Sequence, residues 1–284
     1  MISRKLLIVP FLLLLSFSLF ALGCKQTAAN DPYSPFPKTE GIITEQVRDD
    51  WGWVTYKEKF VVVNNVWNKG AATGPYRQRV FLETLDGKEA FGWQWIWPDT
   101  SNAVVSYPEV IYGDKPWDEP SHIKTEFPLQ AGSADITANF KIIYDAEGIC
   151  NIAFSLWGIT DMSNIRGSIT HEIMIWNINQ GMYPAGKKTY ELRVNNTNFD
   201  VYVFETHSDS SGENPDIWIY IAFAPTEPII SGPLKIHTFI DFLIEKGLLS
   251  SDNYLTSVEL GTEVVSGKGT VEIENYSLTI TPRL

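Results

Sequence analysis

Hydrophobic and polar residues alternate along most of the chain in short runs that are separated by turn-forming residues. Alternation with a period of two is typical of β-strands, because successive side chains of a strand point to opposite faces. The runs cover residues 53–56, 60–66, 79–83, 91–97, 103–110, 136–144, 151–157, 169–176, 190–194, 199–206, 217–223, 257–264 and 271–281. Many short strands with regular turns predict an all-β protein built as a sandwich of two antiparallel sheets.

One segment departs from the period of two. Between residues 234 and 249, apolar residues recur at three- and four-residue spacing, from Ile236 through Ile240 to Ile244, and Gly247 ends the run. Because this spacing gathers the apolar residues on one face of an α-helix, the segment predicts a single amphipathic helix that packs on the sandwich.

The N-terminus has the pattern of an export signal. Residues 1–23 begin with Arg4 and Lys5 and continue as an apolar run, which is short for a membrane span. Cys24 follows directly, in a context similar to a bacterial lipobox, although Ala21 stands where Leu is usual. Lipidation at Cys24 is therefore favoured over ordinary signal cleavage.

A polar, Pro-containing stretch at residues 24–45 predicts a tether, and residues 46–284 are expected to form one folded domain. The protein is thus expected to be exported, as a cell-surface or outer-membrane lipoprotein or, alternatively, as a secreted protein. A lipid anchor would be its only contact with a membrane, and the domain itself is expected to be a monomer.

Charge and cysteine content exclude several classes of partner. The chain has 22 basic and 34 acidic residues; residues 1–23 hold Arg4 and Lys5 and no acid, which leaves 20 basic and 34 acidic residues, a net charge of −14. Nucleic acid is therefore a poor partner, whereas a neutral polysaccharide is compatible with this charge. The two cysteines form no disulfide framework, and no residues have metal-ligand spacing, so neither a metal nor a cofactor is expected.

Two strand-like runs carry candidate chemistry. In the run 171–176, alternation places Glu172 on one face with Met174 and Trp176, and it places the isoleucines on the opposite, core face. A carboxylate beside a thioether and an indole ring suits a groove that binds a sugar. The run 258–267 carries a second carboxylate, Glu263. Hydrolysis of a glycosidic bond needs two such groups, one ionised and one protonated.

These two runs resemble glycoside hydrolase family 12, the β-1,4-glucanases and xyloglucanases. The family's nucleophile lies in a Glu-(Leu/Ile)-Met-Ile-Trp motif and its acid/base in Gly-Thr-Glu, and both motifs are complete here at residues 172–176 and 261–263. The resemblance implies a jelly-roll sandwich with an open substrate cleft. It also implies a retaining, endo-acting hydrolase of β-1,4-glucan, with Glu172 as nucleophile and Glu263 as acid/base, whose carboxyl groups lie roughly 5–5.5 Å apart.

The resemblance assigns further residues to the β-glucan substrate. Asn64-Asn65-Val66-Trp67 matches the family strand in which the second Asn and the Trp hold a sugar on the non-reducing side. Trp117 is expected to form a wall of the groove, and Pro184 to lie in a loop on the acceptor side. Together with Glu172 and Glu263, the predicted site residues are Asn65, Trp67, Trp117, Met174, Trp176 and Pro184.

Three further groups of residues stand outside the predicted set of site residues. The three Trp residues of the run 91–97 share one face, which is either cleft or core. Glu109 and Asp114 are expected to be solvated charges. Glu259 is expected to be exposed, the alternative being that it tunes the acid Glu263.

The chain departs from the family at Ser155. This serine stands where the family usually has an Asp that hydrogen-bonds the nucleophile, so it is the predicted supporting residue. A hydroxyl donates one hydrogen bond but does not ionise. The departure is the best support for the alternative hypothesis, a non-catalytic glucan-binding surface lipoprotein on the same fold, whereas the retention of both Glu172 and Glu263 speaks against it. The sequence leaves open whether the glucan is cellulose, mixed-linkage glucan or xyloglucan.

Overall fold

Sixteen strands, one α-helix and two short 3₁₀ helices form the regular secondary structure of the described part of the chain, which comprises residues 35–117, 123–208 and 216–283 of a computed structural model. The strands are β1 Ile42–Val47, β2 Trp53–Tyr56, β3 Phe60–Val63, β4 Arg77–Leu85, β5 Lys88–Trp97, β6 Glu109–Gly113, β7 Leu129–Gln130, β8 Ala134–Ile159, β9 Ile169–Gln180, β10 Lys187–Val194, β11 Thr197–His207, β12 Trp218–Pro225, β13 Leu234–Lys235, β14 Tyr254–Leu255, β15 Ser257–Gly261 and β16 Val264–Pro282. Helix α1 spans Ile236–Glu245. The predicted all-β jelly-roll sandwich with one packed helix is confirmed.

Two long strands connect the layers of the sandwich. The first half of β8 pairs with β16, and its second half pairs with β9 and β15. The hydrogen-bonded order runs β1-β4-β5-β16-β8-β15-β6-β3-β2, and β9, β12, β11 and β10 follow one another from the other edge of β8. The sheet does not close on itself, so one of its faces is left to form an open cleft.

One strand pair differs from the predicted antiparallel arrangement. Strands β9 and β12 run parallel, with Glu172 opposite Tyr220. Parallel neighbours need a long connection between them, and here the hairpin of β10 and β11 supplies it. The two runs predicted at 136–144 and 151–157 form the single strand β8, and the run predicted at 103–110 becomes a strand only from Glu109.

The sandwich interior is filled by large apolar side chains from both layers. Trp93, Trp95 and Trp97 are fully buried there, which answers the question that the sequence left open: this face of β5 is core. The helix covers one end of the core with Ile236, Phe239 and other apolar residues, and it stops before Gly247, which has a positive φ of 67°. Glycine adopts this conformation without the strain that a Cβ atom introduces.

The folded unit begins before residue 46. Strand β1 starts at Ile42 and pairs with β4, so the boundary predicted between tether and domain lies inside a strand. The backbone N–H groups of Glu40 and Gly41 donate to Oε1 of Glu272 at 2.7 and 3.2 Å. The predicted signal peptide and Cys24 lie outside the described residues. Within the described ranges, no helix is long and apolar enough to cross a membrane.

Candidate active site

An open cleft of about 580 Å³ lies along one face of the sheet, lined by residues of β8, β9, β12 and β15 and of the adjoining loops. Alternation along β9 turns Glu172, Met174 and Trp176 toward this cleft, as predicted, while Ile173 and Ile175 are buried in the sandwich core. On the cleft side Glu172 is 14% exposed, whereas Met174 and Trp176 are 1% exposed and pack in a second apolar cluster with Tyr107 and Tyr220.

Most of the predicted site residues line this cleft together. They are Asn65, Trp67, Trp117, Ser155, Glu172, Met174, Trp176 and Glu263. Trp67 is partly exposed rather than buried in the core, as a sugar-stacking residue must be. Pro184 is the exception, because its neighbours Tyr183 and Ala185 line the cleft and Pro184 does not.

Glu172 sits in a largely water-excluded environment. The exposed fraction of its side chain is 14%, and the indole Nε1–H of Trp218 donates to its Oε2 at 2.8 Å. Nε2 of His207 lies 3.8 Å from the same oxygen. Burial, followed by the charge of Glu263, raises the pKa of Glu172 from 4.5 to about 8, although the Trp218 hydrogen bond works in the opposite direction.

Within the described residues, Glu263 is held by hydrogen bonds from and to the side chain of Asn151 on β8. The side-chain Nδ2 of Asn151 donates to Oε2 of Glu263, and its Oδ1 accepts the backbone N–H of Glu263 at 3.0 Å. This double contact fixes both the backbone and the carboxyl group. Burial raises the pKa of Glu263 from 4.5 to about 7, and the Asn151 hydrogen bond lowers it.

Both pKa values are raised, so the two carboxyl groups lose their protons around neutral pH rather than in the acidic range. Two interacting carboxyl groups lose their protons in two steps that belong to the pair. A pair with one proton has the form that acid-assisted displacement requires, one carboxylic acid and one carboxylate. These pKa values lie close together and do not assign the two roles, which rest instead on the sequence motifs.

A charged network lies beside this pair. The predictions that Glu109 is solvated and that Glu259 is exposed are both wrong. Lys115 contacts Glu109 at 2.8 Å and Glu259 at 3.0 Å, and both glutamate side chains are fully buried rather than solvated. Asn65 donates to Glu109 at 2.8 Å, and the Ser257 hydroxyl donates to Glu259 at 2.7 Å. We call Glu109, Lys115 and Glu259 the charged network. Of its members, Lys115 and Glu259 line the cleft.

Ser155 does not support Glu172 as predicted. It lies opposite Met174 on β9 and Glu259 on β15, whereas the residue opposite Glu172 on β8 is Trp157. Both residues belong to the described part of the chain, and no hydrogen bond joins the Ser155 hydroxyl to the Glu172 carboxyl group. The hydrogen bond to that carboxyl group comes from β12 instead, through Trp218.

Three indole rings form a cluster around Glu172. The ring centroids of Trp117, Trp157 and Trp218 lie 5.4 to 5.5 Å from one another. We call these three residues the tryptophan cluster. Sequence reasoning placed Trp117 at the groove but missed Trp157 and Trp218. Alternation in the run 217–223 separates Trp218 and Tyr220 from the core residues Ile221 and Phe223, but it does not reveal that β12 lies beside β9.

The cleft of this β-sandwich holds two carboxyl groups with raised pKa values and is walled by aromatic side chains. This combination is typical of a glycosidase. The sequence profile of Glycosyl hydrolase family 12 matches residues 58–281. The chain belongs to this family.

Individual relatives agree with this membership. The chain is 29% identical over 225 residues to Endoglucanase S of Pectobacterium parmentieri, covering 78% of this chain and 82% of the relative. It is 24% identical over 230 residues to the inactive glycoside hydrolase XLP1 of Phytophthora nicotianae, covering 78% and 87%. The native family 12 xyloglucanase from Bacillus licheniformis superimposes with a TM-score of 0.73 at 26% identity, covering 83% of this chain and all of that one.

Proposed function

We propose that this protein is an endo-acting hydrolase of β-1,4-glucan that retains the anomeric configuration, with Glu172 as nucleophile and Glu263 as acid/base. The observation that carries this proposal is the placement of both carboxyl groups in one open cleft, with both pKa values raised toward neutrality. An open cleft admits the interior of a long chain, which is what endo cleavage requires.

The contacts of the two carboxyl groups support a double displacement. In the first step, one oxygen of Glu172 attacks the anomeric carbon, the glycosidic C–O bond breaks, and Glu263 gives its proton to the leaving oxygen. In the second step, Glu263 takes a proton from water, whose oxygen attacks the anomeric carbon and releases Glu172. Asn151 keeps Glu263 oriented during both steps, because it binds the backbone as well as the carboxyl group.

The cleft also supports binding of a glucan through its rings. Trp67 and Trp117 line it with partly exposed indole rings, whose faces stack on the apolar faces of pyranose rings, while Trp176 is 1% exposed and packs beside them. The similarity to an endoglucanase and to a xyloglucanase supports β-1,4-glucan as the class of substrate. Within that class, we propose that the substrate is an unbranched or xylose-branched glucan.

Product analysis tests this function. The protein is incubated with cellulose, mixed-linkage β-glucan and xyloglucan, and viscosity, reducing ends and early proton NMR spectra are recorded. We expect a rapid fall in viscosity at low release of reducing ends, and the β anomer as the first product, since two displacements preserve configuration. An initial α anomer contradicts retention. Binding without hydrolysis of any glucan would favour the alternative of a non-catalytic glucan-binding protein; one relative, XLP1, is an inactive glycoside hydrolase.

We also propose that the protein is exported and anchored by lipid at Cys24, on the basis of the leader and the lipobox-like context. Replacing Cys24 by Ser removes the thiol that would carry the lipid, so we expect the protein to move from the membrane fraction to the soluble exported fraction. The cell fractions are compared by immunoblot. Retention of the Ser variant in the membrane fraction contradicts a lipid anchor and points to an uncleaved leader.

A further inference from the structure

The carboxyl group of Glu172 accepts a hydrogen bond from Trp218, whose indole ring is held between three other aromatic rings. Trp218 is 3% exposed, and its ring packs against Trp117 at 5.5 Å, Trp157 at 5.4 Å and His207 at 5.6 Å between centroids. Alternation along β12 turns Trp218 and Tyr220 to the cleft, and the parallel register sets Tyr220 opposite Glu172. The indole N–H therefore reaches Glu172 diagonally from the neighbouring strand.

We propose that Trp218 is the positioning residue of the nucleophile: its N–H holds Oε2 of Glu172 and leaves Oε1 as the oxygen that attacks. This inference rests on the proposed function and deepens it. An indole N–H is a donor only and does not titrate in the range of pH where proteins are stable. It therefore stabilises the ionised carboxylate and cannot exchange a proton with it, unlike a neighbouring carboxylic acid.

The same hydrogen bond fits each stage of the double displacement. Before attack, Oε2 of the carboxylate accepts the N–H at 2.8 Å. After attack, Oε1 is bonded to the anomeric carbon and Oε2 has become the carbonyl oxygen of an ester, which still accepts the N–H. The donor does not have to move during the reaction, and its hydrogen bond opposes rotation of the carboxyl group away from the anomeric carbon.

The surroundings of Glu172 explain why such a donor is needed. The charged and titratable groups that face it are Glu263, Glu259, Lys115, His207, Tyr107 and Tyr220. Two of these, Glu263 and Glu259, are carboxyl groups whose charge opposes the ionisation of Glu172. The charge of Lys115 favours it, but the Lys115 ammonium group is already paired with two other glutamates. Trp218 is the neutral donor that bonds directly to the carboxyl group.

Exchanging Trp218 for Phe tests this role, because Phe keeps an aromatic ring and removes the N–H. A hydrogen bond to a charged group contributes about 1.5–3 kcal/mol, so we expect kcat to fall roughly 10- to 150-fold. We expect KM for a soluble glucan to change less than about threefold, since Trp218 acts on Glu172 rather than on the sugar. The acidic limb of the pH profile should move to higher pH, because the carboxylate has lost its donor.

Trp157→Phe is the matched control. Trp157 belongs to the same tryptophan cluster and lies opposite Glu172, but its buried Nε1 has no hydrogen-bond partner in the described part of the chain. Its variant shows the effect of replacing an indole in this cluster, and its acidic limb should coincide with that of the wild type. If Trp218→Phe and Trp157→Phe give the same acidic limb, the N–H of Trp218 has no role and the proposal is overturned.

A titration without turnover separates this inference from the proposed function. The carboxyl carbon of Glu172 is followed by ¹³C NMR from acid to alkaline pH and is assigned by its loss in Glu172→Gln. We expect a higher pKa for Glu172 in Trp218→Phe than in the wild type or in Trp157→Phe. This result would support Trp218 as the partner of Glu172 even if the wild type hydrolysed no glucan, and an unchanged pKa would overturn it.

Discussion

Glu172→Gln and Glu263→Gln are each expected to abolish most hydrolysis of a soluble β-1,4-glucan. Loss of a nucleophile lowers kcat of a hydrolase on the order of 10⁴-fold or more, and loss of a general acid lowers it by about 10²–10⁴-fold. Initial rates of reducing-end release measure both effects. Glu191→Gln serves as the control, because the Glu191 side chain is 73% exposed and lies outside the cleft lining. Near-wild-type turnover in either cleft variant contradicts the assignment of that residue.

Azide distinguishes the two roles, which the pKa values leave unassigned. With Glu172→Ala and an aryl cello-oligosaccharide, azide takes the place of the missing nucleophile in a single displacement, so we expect an α-glycosyl azide. With Glu263→Ala, the covalent intermediate still forms on Glu172 and azide attacks it, so we expect a β-glycosyl azide. Product configuration is determined by proton NMR. The opposite pair of products would exchange the roles of Glu172 and Glu263.

The glutamine variants should remain folded, and their stability should depend less on pH. The pKa of Glu172 is raised from 4.5 in the unfolded chain to about 8 in the folded protein. Its contribution to the free energy of unfolding is therefore fully present below pH 4.5 and is lost as the pH rises through about 8. Above that pH the wild type bears the full cost of ionising a buried carboxyl group, and Glu172→Gln does not. We therefore expect a higher melting temperature for the variant than for the wild type at pH 9. A large fall in melting temperature at all pH values would show that the activity loss reflects unfolding.

Lys115→Met is expected to lower the free energy of unfolding by about 3–5 kcal/mol at neutral pH, since removal of one partner leaves buried charges uncompensated. Glu109 and Glu259 both contact this ammonium group, and the three side chains are between 0% and 8% exposed. Denaturant unfolding measures the difference. The effect should shrink on acidification, because protonated carboxyl groups no longer need a cation.

Lys141→Met is the matched control for this experiment. Lys141 makes one ion pair, with Glu274 at 2.9 Å, and its side chain is 52% exposed, so its removal should cost less than about 1 kcal/mol. The double variant Lys115→Met, Glu109→Gln should recover part of the lost stability, because it removes one of the two charges that Lys115 balances. Equal losses in Lys115→Met and Lys141→Met would mean that the charged network adds no more to stability than a surface pair does.

The charged network shows what strand periodicity cannot tell. Alternation correctly put Glu259 on the same strand face as Glu263, but the side chain was expected to be exposed. Whether such a face is exposed to solvent depends on the residues that pack against it. Here Lys115, in the segment after β6, contacts Glu109 and Glu259 on two neighbouring strands. Lys115 and Glu259 are 144 residues apart, so the pattern of residues around neither of them predicts their contact.

The sequence by itself determined the all-β class, the single helix, and the placement of Glu172 and Glu263 in motifs of one family, because local periodicity and short motifs carry that information. Only the tertiary structure decided which strands become neighbours. The parallel pairing of β9 with β12 brings Trp218 to Glu172, and the pairing of β8 with β9 aligns Ser155 with Met174 rather than with Glu172. Strand register is set by the packing of the whole sandwich, so the residues that surround a catalytic carboxyl group are decided by strands far from it in the sequence.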